Sequence, residues 1–213
     1  MIERDFDAII FDCDGTLVDS EPITVKVLID FVREFGLELS YDDALPLFVG
    51  RDMPAIMAVL ESWMNSKLPT TFSEEFRARQ ATALREDLTA ISGAHDLLGS
   101  LQRQFCVASN APQAKIEINL TTTGLSSFFS PDTTFSAYDI NVWKPEPDLF
   151  LYAADKLKVD PSRCVVIEDS QAGIDAGLAA GMQVIGYSHT PEEAATTEVP
   201  FVHCLTELIE VLN

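Results

Sequence analysis

Positive charge is scarce in this sequence. Lysine and arginine together number 14 against 34 aspartates and glutamates, for a formal net charge of −20 over 213 residues. A field of that sign repels nucleic acid and anionic lipid, so neither nucleic acid nor a membrane is expected as a partner. It repels a phosphorylated ligand as well. Any phosphate site must therefore be locally positive, through a metal, a lysine or backbone N–H groups. Histidine is rare too: His95, His189 and His203 are the three, and they match no catalytic spacing. The four cysteines, Cys13, Cys106, Cys164 and Cys204, include no C-x-x-C pair, and three lie in apolar strand-like runs. This excludes a zinc pattern and a disulfide framework, and it leaves small buried residues in a reducing compartment. No run approaches the ~20 apolar residues that cross a bilayer. The segment Met1-Ile2-Glu3-Arg4-Asp5 is too charged to open a secretory signal, and the expected location is cytoplasmic. Internal repeats and low-complexity tracts are also missing.

What is present is ordinary globular composition, 47% hydrophobic and 23% charged, in a length that suits one large domain or a domain with a small insert. Apolar runs at 6–11, 105–108, 133–136, 164–167 and 183–187 read as strands, the third more weakly than the rest. Helical patterns lie between them at 113–122, 147–157, 171–180 and 205–212, with Pro147 suited to a first turn and Gly181 to a stop. Strands alternating with helices predict an α/β fold, a Rossmann-like doubly wound parallel sheet. The first interval is anomalous, because more than 90 residues separate Asp12 from Phe105 where a crossover needs about a dozen. Helical patterns fill it at 22–35, 52–64 and 73–87, the last with Ser73 as its expected N-cap. The expected organisation is a core of residues 1–18 and 91–213 with an all-helical cap, residues 19–90, inserted after the first strand.

Ligands of an open parallel sheet bind beyond the carboxyl ends of its strands. Three expected strand ends carry reactive groups: Asp12 and Asp14 after the first, Ser109 after the second, Glu168 and Asp169 at the fourth. Lys144 lies just before the helix that leads into the fourth. Any one of these has a bland reading as a turn, a cap or a solvated charge. Four sets converging on one edge do not. Adjacent carboxylates repel unless a cation compensates, and an all-oxygen cluster of Asp12, Asp14, Glu168 and Asp169 suits Mg²⁺.

In that order the segments Asp12-Cys13-Asp14-Gly15-Thr16, Val107-Ala108-Ser109-Asn110, Lys144-Pro145-Glu146-Pro147-Asp148 and Ile167-Glu168-Asp169-Ser170 resemble the four motifs of the haloacid-dehalogenase-like (HAD) phosphohydrolases. The helical insert resembles the cap of the β-phosphoglucomutase-like branch. The resemblance implies Asp12 as covalent nucleophile, Asp14 as proton donor and acceptor, Ser109 and Lys144 on the transferring phosphoryl group, Asn110 beside the substrate, and Mg²⁺ held by Asp12, Asp14, Asp169 and Glu168, the last directly or through water. Asp14 would bind the metal through its backbone carbonyl. Gly50-Arg51 resembles the family's substrate-facing loop, where Arg51 would clamp a second anionic group.

The mutases of this branch place a histidine twelve residues after the nucleophile; Thr24 stands there instead and cannot shuttle protons near neutral pH. Dehalogenases lack the second aspartate that Asp14 supplies. A phosphosugar mutase is the first alternative, ahead of a 2-haloacid dehalogenase and a non-catalytic binding protein on the same fold. The expectation is Mg²⁺-dependent hydrolysis of a small phosphorylated metabolite by a monomer or weak homo-oligomer. The stretch 135–144 resembles bacterial phosphatases of sugar phosphates and sugar-acid phosphates, and a helical cap suits a diffusible substrate.

Overall fold

A computed structural model describes residues 5–48, 53–188 and 199–213. The chain forms two compact units, residues 1–19 with 89–213 and residues 20–88.

The larger unit is built on six parallel strands: β1 (Ala8–Phe11), β2 (Gln104–Ser109), β3 (Thr134–Ser136), β4 (Cys164–Glu168), β5 (Gln183–Tyr187) and β6 (Phe201–Val202), in the order β3-β2-β1-β4-β5-β6. That order reverses direction at β1 and β4, which makes the gap beyond their carboxyl ends the switch point where doubly wound folds bind ligands. β1 is buried along its whole length, as the central strand of a sheet covered on both faces must be. Its register sets Phe11 opposite both Val107 and Ile167. Alternate residues sort by face. Ala8, Ile10, Cys106, Ala108, Val166 and Val184 pack with Leu149, Phe150, Ala153 and Ile174 in one continuous core.

The smaller unit holds α1 (Glu21–Arg33), α2 (Tyr41–Ala44), α3 (Met53–Met64) and α4 (Phe72–Asp87). The larger unit adds α5 (Ala94–Ser100), α6 (Gln113–Thr122), α7 (Ala137–Ile140), α8 (Asp148–Leu157), α9 (Gln171–Ala179) and α10 (Leu208–Leu212). Among the described residues no helix is long and apolar enough to cross a membrane.

Several elements differ from the sequence reading. Strand β6 is a two-residue edge with no run of its own to announce it. It forms because Gly186 and Ser188 donate backbone N–H bonds to Pro200 and Val202. Helix α5 is too short to show a period. Ser73 does not cap α4: the helix already begins at Phe72, whose N–H closes a turn onto the Pro69 carbonyl, so Thr71 takes the N-cap place without a side-chain bond. The last helix opens as a 3-10 turn, Leu205–Glu207, before α10.

The helical unit is organised by aromatic packing. Phe31 and Phe72 stack with ring centroids 4.6 Å apart and planes 12° from parallel, inside a core shared with Leu28, Val32, Leu60 and Phe76. Arg79 lies over Phe31 at 4.1 Å and pairs with Glu34, so the stack carries a charged lid. A buried polar contact among these helices joins Gln80 Nε2 to Thr24 Oγ1 at 2.8 Å. Phe72 is fully buried, and replacing it by alanine removes the stack and leaves a cavity. The Phe72→Ala variant is expected to lose about 3–5 kcal/mol of stability in urea unfolding followed by circular dichroism. A loss below about 1 kcal/mol would show that the stack is not what holds these helices together.

Candidate active site

Asp12 begins where β1 stops pairing. Its N–H still bonds to the Ile167 carbonyl at 2.9 Å, which sets its side chain beside the end of β4. The chain then turns tightly: Leu17 N–H returns to Cys13 O at 2.9 Å and Gly15 N–H to Val18 O at 2.8 Å. Gly15 sits at φ +85°, and a Cβ there would lie 2.1 Å from Asp169 Oδ2. Only glycine allows both the turn and the approach of that carboxylate. Thr16 Oγ1 donates to Asp169 Oδ1 at 3.0 Å and fixes it.

Lys144 reaches the same point from the segment before α8. Its Nζ donates to Asp12 Oδ1 at 2.5 Å and to Glu168 Oε2 at 2.7 Å, and it lies 4.7 Å from the centre of the Phe150 ring. Its main chain is held from β2: Asn110 Oδ1 accepts from the Lys144 N–H at 3.0 Å, and Asn110 Nδ2 donates to the Lys144 carbonyl at 3.3 Å. Both ends of the Asn110 amide thus help to position Lys144. Ser109 is buried at the end of β2, and its Oγ accepts from the Ala111 N–H at 3.1 Å.

Glu168 is held by four donors. Its Oε1 accepts from the Asp169 N–H, the Ser170 N–H and the Ser170 hydroxyl at 3.1, 3.0 and 2.9 Å, while Oε2 takes Lys144. Ser170 also caps α9, accepting from Gly173 N–H at 3.1 Å. A Cβ on Gly173 would lie 1.7 Å from Glu168 Oε2, so glycine is required for the carboxylate to sit against the helix start.

Asp12, Glu168 and Asp169 offer carboxylate oxygens within 4.8 Å of one another. The Asp14 side chain stands apart from this cluster. Its Oδ1 accepts from Lys115 Nζ at 2.8 Å and Asn119 Nδ2 at 2.9 Å. Lys115 and Asn119 escaped the sequence reading, and Thr16 and Ser170 stood in its motifs without a role. The readable signal was the i, i+4 spacing of Lys115 and Asn119 on the helix after Ser109, which puts both on one face. Arg51 lies outside the described residues.

Two buried carboxylates, Asp12 and Glu168, pair with the Lys144 ammonium, the partly buried Asp169 lies beside them, and the imbalance decides their charge states. Burial pushes the Asp12 carboxyl up to about 7; the Glu168 charge adds to this, and Lys144 opposes it. Burial, then Glu168 and Asp12, raise Asp169 well above the usual carboxylate range. Burial works against the Lys144 charge, but the Asp12 and Glu168 carboxylates outweigh it and hold the ammonium protonated above its ordinary value. The cluster is short of positive charge and offers only hard oxygen donors. That combination fits a divalent cation of the Mg²⁺ type.

Residues 9–187 match the model of the haloacid dehalogenase-like hydrolases. The chain belongs to that family. It is 35% identical over 198 residues to the 6-phosphogluconate phosphatase of Escherichia coli K12, covering 92% of this chain and 87% of that one. It is 30% identical over 202 residues to hexitol phosphatase A of the same organism, covering 93% and 91%. Among solved structures, a HAD family hydrolase from Deinococcus radiodurans R1, crystallised with bound phosphate and sodium, superposes with a TM-score of 0.79 at 32% identity over 97% of this chain and 94% of that one. The six-stranded parallel sheet is therefore the HAD-like fold.

The raised Asp12 carboxyl has a stability consequence. The folded state holds that proton more tightly than the unfolded chain, so the stabilisation is complete below about pH 4 and is lost as pH rises through about 7. In chelator, the melting temperature is expected to fall between pH 5 and pH 7.5, roughly the window these values define, and millimolar Mg²⁺ to raise it more at the higher pH. A melting temperature that is flat over this window and indifferent to Mg²⁺ would contradict the charge imbalance.

Proposed function

We propose that this HAD hydrolase is a Mg²⁺-dependent phosphatase that acts on a small sugar phosphate or sugar-acid phosphate through an aspartyl-phosphate on Asp12. The observation that carries the reading is the Lys144 ammonium held between Asp12 and Glu168 at the switch point of the sheet, with Ser109 at the neighbouring strand end. An ammonium beside a nucleophilic carboxylate is what an incoming phosphoryl group requires, since its oxygens must be neutralised before a carboxylate can approach phosphorus.

The cation would be held by Asp12, Asp169 and the backbone carbonyl of Asp14, with Glu168 direct or through water. When bound it supplies positive charge against the phosphoryl oxygens and the carboxylates. The remaining steps belong to the chain. Asp12 in its ionised form attacks phosphorus in line, and the bond to the leaving oxygen breaks. Asp14 passes a proton to that oxygen, then takes one from the water that hydrolyses the aspartyl-phosphate and releases phosphate. Lys144 and the Ser109 hydroxyl stabilise the equatorial oxygens in both transfers.

Thr24 supports hydrolysis over mutation. Its hydroxyl is buried and accepts from Gln80, so the position where the mutases carry histidine has neither a proton shuttle nor a free side chain. The substrate class is supported by the relatives, whose names give 6-phosphogluconate and hexitol phosphates as their substrates.

A screen of phosphorylated metabolites for phosphate release, with and without Mg²⁺, is expected to find turnover of sugar or sugar-acid phosphates only with the cation. Asp12→Asn is expected to lower kcat by about a thousandfold or more and to abolish labelling of the protein by substrate phosphate. An Asp12→Asn protein that kept full activity would remove the reading.

A further inference from the structure

Asp14 carries two tasks in the reaction above. Its Oδ1 is held from the helix that follows β2. Lys115 Nζ and Asn119 Nδ2 both donate to Asp14 Oδ1, at 2.8 and 2.9 Å. The two residues stand four apart on α6, so one helix face presents both donors. Asn119 is fully buried, and its amide also approaches Cys13 Sγ at 3.8 Å. The Lys115 and Asp14 side chains are 19% and 25% exposed, a pair shielded enough for its geometry to persist. Two donors on one oxygen fix the rotation of the carboxyl about its bond to Cβ, and hence where its second oxygen lies.

We infer that Lys115 and Asn119 are positioning residues for proton transfer, holding the Asp14 carboxyl where its proton can reach the leaving oxygen. The inference rests on the phosphatase reading. In the step concerned, the P–O bond breaks with its electron pair remaining on the leaving oxygen, and the Asp14 proton moves to that oxygen. A leaving group that is stable as an anion needs little of this help; an alkoxide needs most of it.

The leaving group therefore supplies the readout. p-Nitrophenyl, phenyl and benzyl phosphate release progressively poorer leaving groups of similar size. The quantity to compare is kcat/KM, which ends at departure of the leaving group and excludes the later attack by water. Lys115→Met is expected to lose a few-fold on p-nitrophenyl phosphate, more on phenyl phosphate, and about 100-fold on benzyl phosphate. Lys115→Arg keeps a cation in reach and is expected to flatten that gradient toward the wild type. Lys115 is chosen because it is partly exposed, whereas truncating buried Asn119 also costs packing. A uniform loss over the three esters, or none, would overturn the positioning role while leaving the phosphatase reading intact. A wild type inactive with Mg²⁺ on all three esters and on every sugar and sugar-acid phosphate of the screen would remove the phosphatase reading, and this inference with it.

Discussion

The site depends on one buried ammonium. Lys144 is the cation that meets Asp12 and Glu168, and a lysine this deeply buried stays charged only because two carboxylates outweigh its desolvation. Removing a partner from such a group leaves an uncompensated charge, so its neighbours are constrained in turn. Asn110 grips the Lys144 main chain from the end of β2, Phe150 faces the ammonium from α8, and Ser170 with two backbone N–H groups holds Glu168 from the start of α9. Three crossover connections of the sheet thus converge on one side chain.

The arrangement follows from the topology. In the order β3-β2-β1-β4-β5-β6 the neighbours of β1 are β2 and β4, and the register puts Phe11 level with Val107 and Ile167. The residue after each strand must then lie near its counterparts, whatever the distance in sequence. Close approach of like charges would still be forbidden if side chains intervened. Gly15 and Gly173 supply the room, one beneath Asp169 and one beneath Glu168. The negative charge concentrated there suits a cation more than a closed ion pair, because two carboxylates remain for every ammonium even after Lys144 is counted.

Much of this was legible in the amino-acid sequence, for a physical reason. Strands of a doubly wound sheet are continuous apolar runs, so their ends are visible as the point where Phe11 gives way to Asp12 or Ile167 to Glu168. The acids and Ser109 could be collected at one edge from that alone. What stayed hidden has a weak local signature. The bonds from Lys115 and Asn119 to Asp14 span 101 and 105 residues, and a lysine and an asparagine on a helix look like solvent-facing polar residues until the fold is known. The two-residue β6 and the short α5 carry no period. Ser73 misled because a serine near a helix start competes with the turn that Pro69 closes one residue earlier.

Glu168 shows how the same residue type can hold different duties at adjacent positions. Three donors converge on Oε1, and Lys144 donates to Oε2. Asp169, next in the chain, meets Thr16 and sits over Gly15 with its carboxylate toward Asp12. A carboxylate gripped by four donors keeps Lys144 protonated and in place. A carboxylate with one side-chain donor keeps oxygen lone pairs for a ligand. On the proposed reading Asp169 is the direct partner of the cation, and Glu168, which meets it directly or through water, also acts through Lys144 and through the field it adds to Asp12. The separation arises from the helix cap, because Ser170 spends its hydroxyl proton on Glu168 while its lone pair accepts from Gly173, locking the glutamate to the start of α9 and leaving the aspartate to the site.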